Sequence, residues 1–265
     1  RSREGRHTGG EVWHWYLGRR VGEARNPGLE PKGKHRGRKP IFQDLVILNS
    51  SGQPQLLEAL ASFKEKQDGV SVAAILCQEH HTNGVSWNNL QLKAKGLHWH
   101  MQGAQAEALA GGGLSAGVGI ASRAYVNMGL PFGASHDISP EESPGRLAVA
   151  WIEGIVKGGM ILMSVYLWHS EGLTPRNRAI LEQAGLLAKK FRGPWLLAGD
   201  FNMTPEQLQE EGCDWINKVG GVVVRPGEAT CRSVSGGRTI DYCVVDAWMA
   251  AAVEKITIDQ DFPSS

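Results

Sequence analysis

Apolar residues fall along the chain in short runs separated by turn-forming stretches, and the spacing within the runs switches between strand and helix periods. Leu45-Val46-Ile47-Leu48 reads as a buried strand that ends at Asn49-Ser50-Ser51-Gly52. Leu56, Leu57, Leu60 and Phe63 recur at helical spacing, which predicts an amphipathic helix that stops before Gly69. Residues 72–76 form the next apolar run and deliver Gln78-Glu79-His80-His81. Residues 82–116 read as irregular, with Gly111-Gly112-Gly113 as a flexible turn. Val118-Gly119-Ile120-Ala121 is a strand with Ser122-Arg123 at its end, and residues 131–145 are a loop punctuated by Pro131, Pro140 and Pro144.

The second half repeats the alternation. Residues 146–151 and 160–166 pair as antiparallel strands, with Gly158-Gly159 as a tight turn. Thr174-Pro175 opens a long helix whose apolar side is Ile180, Leu181, Ala184, Leu187, Ala188 and Phe191, and Gly193-Pro194 ends it. Residues 195–198 are a buried strand closed by Gly199, and Thr204-Pro205 starts another helix as N-cap and first residue. Residues 221–224, 239–245 and 253–258 are further strands, with Gly236-Gly237 as a turn. Many strands with few helices predict an α/β chain of the α+β kind, with two packed sheets flanked by helices.

Charge and cysteine usage refine this. Residues 1–40 carry 11 Lys/Arg against 4 Asp/Glu, whereas the remainder carries 17 against 23. A basic, proline- and glycine-punctuated arm therefore precedes a mildly acidic domain over residues 41–265, and such an arm suits a polyanion or simple solubility. Within the arm, residues 12–17 (Val-Trp-His-Trp-Tyr-Leu) need somewhere to pack and read as a short strand or a docking segment. The four cysteines are scattered without metal spacing, and Cys77 and Cys243 lie in apolar runs as buried thiols. This predicts a reducing, intracellular setting. No run approaches the roughly 18 apolar residues of a membrane span, so no membrane partner is expected.

The polar residues at the strand ends carry the chemistry. Asn49, Glu79, Tyr166, His169, Asp200, Asn202 and Asp241 all stand there. Asp200 and Asn202, two apart, leave one face of the strand end if the chain is still extended, though both also suit an ordinary turn. Asp241 interrupts an apolar strand, so its carboxylate must be paired or at a sheet rim. His80 and His81 read as surface residues rather than ligands, since neither has a partner at helical spacing. Acidic and amide oxygens without clustered Cys or His suit a hard ion, Mg²⁺ with Mn²⁺ as a substitute, and hydrolysis of a phosphate ester by water.

Residues 43–265 resemble the endonuclease/exonuclease/phosphatase superfamily. The matching pieces are Leu48-Asn49-Ser50-Ser51-Gly52, Gln78-Glu79, Gly117-Val118-Gly119-Ile120, Val165-Tyr166, Gly199-Asp200-Phe201-Asn202 and Ile240-Asp241-Tyr242, in the family's order. The resemblance implies a four-layered α/β/β/α sandwich of two mixed, largely antiparallel sheets. It implies that Glu79 is the principal metal ligand with Asn49 beside it, and that Tyr166 meets the scissile phosphate. Asp200 would position or deprotonate the attacking water, Asn202 hold a phosphate oxygen, and Asp241 orient a catalytic histidine.

Three positions depart from the pattern. Ser51 replaces an aspartate near the metal, and His169 stands where an asparagine is expected to touch phosphate. The chain also stops at Phe262-Pro263-Ser264-Ser265, just before the serine and catalytic histidine that close the family pattern, which reads as truncation. The basic arm and the aspartate-poor first motif are most similar to nuclease domains of non-LTR retroelements. That implies nicking of double-stranded DNA in the nucleus, through contacts mostly to phosphates, and a reverse transcriptase fused downstream. Lys93, Lys95, Arg123 and Arg146 are basic residues available to a substrate rim. Two alternatives stay open: a phosphatase or phosphodiesterase of the same fold acting on a small phosphorylated substrate, and a catalytically inactive nuclease-like binding domain.

Overall fold

Leu45 and Ile47 point to one side of their strand and Val46 and Leu48 to the other, and both sides are buried. A strand covered on both faces reads as a continuous apolar run, and each fully buried leucine or isoleucine stabilises the fold by roughly 1.5–3 kcal/mol. The computed structural model describes residues 12–17, 43–63, 71–131, 135–191, 193–210, 214–233 and 236–259.

In chain order, β1 (Val12–Leu17) and β2 (Gln43–Asn49) lead into α1 (Gln53–Ser62) and β3 (Ser71–Gln78). Then come α2 (Gly84–Gly96), β4 (Trp99–Ala104), the short pair β5 (Glu107–Ala108) and β6 (Leu114–Ser115), and β7 (Val118–Arg123). Next are β8 (Met128–Gly129), β9 (Leu147–Ile152), β10 (Met160–Tyr166), α3 (Pro175–Lys190) and β11 (Trp195–Asp200). They are followed by α4 (Pro205–Glu210), α5 (Asp214–Lys218) and β12 (Gly221–Val224). A hairpin of β13 (Cys231–Ser233) and β14 (Gly236–Arg238), then β15 (Asp241–Asp246), α6 (Ala247–Ala250) and β16 (Val253–Asp259), complete the described chain.

Two six-stranded sheets result, ordered β16-β1-β2-β3-β7-β4 and β12-β15-β11-β10-β9-β8. Each has one parallel pair, β2 with β3 and β10 with β11, and antiparallel neighbours elsewhere. A parallel pair needs a crossover, and α1 and α3 supply the two. The inner faces of the sheets meet in one core, which joins Leu45, Ile47 and Leu76 to Leu162, Leu196 and Val245. Leu56, Leu60, Trp87 and Leu90 of α1 and α2 cover the outer face of the first sheet. Ile180, Leu181, Leu208 and Ile216 of α3, α4 and α5 cover the second. The layers are therefore α/β/β/α.

Three sequence expectations are corrected. The stretch 82–116 is not irregular, because it holds α2 and β4. Asn83 and Ser86 form a capping box at the start of α2. Gly236-Gly237 belongs to β14 rather than to a turn. His80 is buried, not a surface residue. Of the two readings of residues 12–17 the strand holds, since they pair with both β2 and β16. Cys77 and Cys243 are buried free thiols as expected, and burial pushes the Cys77 thiol up to about 12. The four residues at the chain's end, where truncation is read, lie outside the described residues.

Candidate active site

The two parallel pairs end side by side, and their carboxyl ends carry Asn49, Glu79, Tyr166 and Asp200. Ligand sites in sheets with crossover connections collect at such ends. The loop after β2 is pinned to the end of β3, because the Ser50 backbone N–H and hydroxyl both donate to the Gln78 carbonyl, at 3.0 and 2.8 Å. That brings Asn49 against Glu79: the Asn49 amide donates to Glu79 Oε1 at 2.9 Å and, more weakly, to Asp200 Oδ2 at 3.4 Å. One carboxamide thus stands between two carboxylates on different sheets.

Backbone strain accompanies this placement. Glu79 and Asn202 have φ of 57° and 50°, a left-handed region that costs non-glycine residues on the order of 1–3 kcal/mol. The extended-chain argument for Asp200 and Asn202 therefore fails in its premise. A turn brings the two together instead, with the Asn202 N–H donating to Asp200 Oδ1 at 2.8 Å. Behind them Phe201 stacks on Tyr242 at 4.1 Å, which anchors the turn to β15.

Electrostatics follow from the crowding. Burial and then the nearby Glu79 charge push the Asp200 carboxyl up to about 7, against the opposing hydrogen bonds from Asn202 and Asn49. Burial, with Glu79 and Asp200 alongside, also raises the Tyr166 phenol, which hydrogen-bonds to Glu79 and stays protonated. His81 Nε2 lies 3.6 Å from Glu79 Oε2. His169 reaches Asn202 Oδ1 through Nδ1 at 3.0 Å, and the Asn202 amide donates to the Leu167 carbonyl at 2.9 Å. A carbonyl only accepts, so the Asn202 amide nitrogen must face Leu167 and its oxygen must face His169. The His169 Nδ1 therefore carries the proton. Asp241 pairs in register with Asp200 across β15 and β11, and the Thr230 hydroxyl accepts from its N–H at 3.0 Å.

Of the basic residues available to a rim, only Arg146 adjoins the site. Arg146 is 2% exposed, and its guanidinium lies over the rings of Trp168 and Tyr166 at 3.4 and 4.9 Å and donates to Ser115 Oγ at 3.2 Å. Arg123 sits at the opposite end of β7, over Trp99, and Lys93 and Lys95 occupy the last turn of α2 beside that same end. Reading the sequence also missed the role of His80. Its ring stacks on Trp87 at 4.8 Å and contacts the Ala104 carbonyl through Nε2 at 3.1 Å, while Nδ1 accepts from the Thr82 N–H at 3.2 Å. His80 directly follows Glu79, so these contacts anchor the chain beside the strained residue. The Gln-Glu-His-His run beside aromatic Trp87 was the available signal.

Among the described residues, no group of three or more His, Cys, Asp or Glu side chains converges to hold a metal ion. The oxygen donors that converge are the carboxylates of Glu79 and Asp200; the Asn49 amide turns its nitrogen to both, and its oxygen accepts from the Ser51 N–H at 3.3 Å. Two carboxylates fit a small hard ion that keeps several waters, and do not fit an all-protein cage.

Comparison with known proteins agrees with the fold. The endonuclease domain of TRAS1, a telomere-specific non-LTR retrotransposon, superposes with TM-score 0.56 at 16% identity, over 83% of this chain and 92% of that one. The AP endonuclease LMAP from Leishmania major gives 0.54 at 14% identity, over 77% and 78%. The 3'-5' exonuclease NExo from Neisseria meningitidis gives 0.52 at 18%, over 78% and 88%. No curated protein sequence matches the chain. The model of the Endonuclease/Exonuclease/phosphatase family matches residues 52–258, and the chain accordingly belongs to that family.

Proposed function

We propose that the chain is a Mg²⁺-dependent endonuclease that nicks double-stranded DNA by hydrolysis. The observation that carries this reading is the Asn49 amide held between Glu79 and Asp200, with the Asp200 carboxyl raised to about 7. A carboxylate with that basicity suits a general base at neutral pH. Asp200 takes the proton of the attacking water, and its turn with Asn202 fixes the direction of approach. The Tyr166 phenol, kept protonated, donates to a phosphate oxygen, and the second N–H of the Asn202 amide does the same. Glu79 and Asn49, with Asp200 behind them, would hold the Mg²⁺ or Mn²⁺ ion, which supplies charge stabilisation at the phosphate and the leaving oxygen. His169, whose Nδ1 proton goes to Asn202 Oδ1, holds that amide for its phosphate contact. Asp241 supports this end of β11.

The partner in this reading is DNA, met mostly through phosphates, with the basic residues 1–40 adding salt-dependent contacts. A nuclear setting and a downstream fused reverse transcriptase belong to the same reading, as the retroelement resemblance implies. The test is nicking of supercoiled plasmid with Mg²⁺, with EDTA, and with Asp200→Ala. Mg²⁺-dependent relaxation that Asp200→Ala abolishes is the expected result. Folded protein that never nicks, in any divalent ion, would remove the nuclease reading and leave the small phosphorylated substrates and the binding-only domain.

A further inference from the structure

Asp200 ends β11, and at the start of the same strand, beside Trp195, a cavity of about 590 Å³ opens. At about 3.3 Å per residue the two ends lie roughly 17 Å apart, so the cavity is separate from the carboxylate site. Three lysines from three elements converge on it: Lys157 from the β9–β10 connection, Lys189 from the last turn of α3 and Lys218 from the last turn of α5. Lys189 and Lys218 also answer the negative ends of their helices. Lys157 lies in a turn and has no helix end to serve.

Asp246 is the one carboxylate among the described residues that line the cavity, and it is already engaged. It accepts from the Trp195 N–H at 2.9 Å, the Trp248 N–H at 2.9 Å and the Met249 N–H at 3.0 Å. Lys218 also pairs with Asp214 at 3.9 Å, but both side chains are largely exposed and such a surface pair is weak, so a cationic excess centred on Lys157 and Lys189 remains for a ligand. Those same bonds fix the backbone under Trp248, whose side chain is 47% exposed at the cavity mouth, an unusual position for the largest apolar side chain.

We propose that this cavity binds single-stranded nucleic acid, with a base stacked on Trp248 and the flanking phosphates among Lys157, Lys189 and Lys218. Aromatic faces combined with lysines are the recurring recipe for unpaired strands. The bases of a duplex already have their faces occupied by stacking. An acidic peptide would use the lysines but has no need of a rigid, exposed indole. The volume lies within the range of small-ligand pockets and suits about one nucleotide. This inference does not rest on the nuclease reading, because neither Trp248 nor the lysines belong to the carboxylate site.

The test uses the full chain in EDTA at 0.2 M salt, where contacts made by the basic residues 1–40 are weakened. A ten-nucleotide thymidine oligonucleotide carrying one 5-bromodeoxyuridine is photo-crosslinked and the adduct is mapped, and its affinity is read by fluorescence anisotropy. A crosslink at Trp248 is expected, with affinity falling roughly 5- to 100-fold in Trp248→Ala and recovering in Trp248→Phe. Reversing all three lysines to glutamate should abolish the crosslink and flatten the slope of log affinity against log salt by about 2. Thermal melting and plasmid nicking should stay as in the parent protein. Crosslinks confined to residues 1–40 or to the Glu79 region would overturn the proposal, as would equal competition by polyglutamate with no effect of Trp248→Ala.

Discussion

The Gln78 side-chain amide donates to the Ser164 hydroxyl at 2.9 Å, directly beneath Glu79 and across the gap between the two sheets. Ser164 passes the chain on by donating to the Cys77 carbonyl at 3.1 Å, so β3 and β10 are tied together at the level where their carboxyl ends form the site. Both side chains are fully buried. Ser164→Ala would leave the Gln78 amide unsatisfied and should cost about 1–3 kcal/mol in urea denaturation. Adding Gln78→Leu should return part of that loss, because an apolar pair needs no partner. A double-mutant cycle with no coupling between the two positions would show that the tie does not hold the sheets in register.

Gly199 occupies the matching place on the second sheet. A Cβ there would lie 2.0 Å from the Val165 carbonyl oxygen, and its φ of 150° already favours glycine. The clash is with backbone of the neighbouring parallel strand, which cannot move without shifting Tyr166. Gly199→Ala should therefore destabilise by more than about 3 kcal/mol or leave no soluble protein. A thermal melt within a degree or two of the parent would contradict the close packing of β10 on β11.

These relationships explain what could be read from the chain. Asn49, Glu79, Tyr166 and Asp200 were legible because each follows an apolar run, and a buried strand must end where its polar residues reach the rim. The turn at Asn202 was legible only as one of two readings, since its left-handed backbone depends on hydrogen bonds that Asn202 donates to the Asp200 carboxylate and the Leu167 carbonyl rather than on local pattern. Helix α2 was hidden because its buried stripe is only Trp87, Leu90 and Ala94, while Val85 and Leu92 are 76% and 66% exposed and blur the periodicity. Strand β1 was obscured by the basic, glycine- and proline-rich sequence around it.

Glu79 and Asp200 face each other with one amide between them, so a divalent ion should stabilise the fold as well as support reaction. Saturating Mg²⁺ at about 100 times its dissociation constant should add about 2.7 kcal/mol, read as a rise in melting temperature. Glu79→Gln should remove most of that rise. A Mg²⁺ response that survives Glu79→Gln would place the ion elsewhere.

Asp200→Asn separates reaction from stability. Loss of a general base should cut nicking by about 10²- to 10⁴-fold. In EDTA at pH 8, however, the variant should melt higher than the parent, since it no longer holds a charged carboxylate in a buried place beside Glu79. A lower melt at pH 8 would mean that the hydrogen bonds to Asp200 outweigh its burial.

The same substitution should uncover a second titration. Burial lowers the pKa of His80 to about 4, so the folded state resists a proton that the unfolded chain accepts near 6.5. The stability this gives is present above pH 6.5 and is lost as pH falls toward 4, by roughly 3 kcal/mol. Asp200 works in the opposite sense, because its folded pKa is raised to about 7. Its contribution is full below about pH 4 and is lost as pH rises toward 7. In the metal-free parent the two slopes oppose each other between pH 4 and 6.5, and stability should change little there. Urea midpoints of Asp200→Asn should instead fall as the solution is acidified across that window, and those of His80→Gln should rise. Parallel midpoint curves for the parent and both variants would show that neither group carries the shift its burial implies.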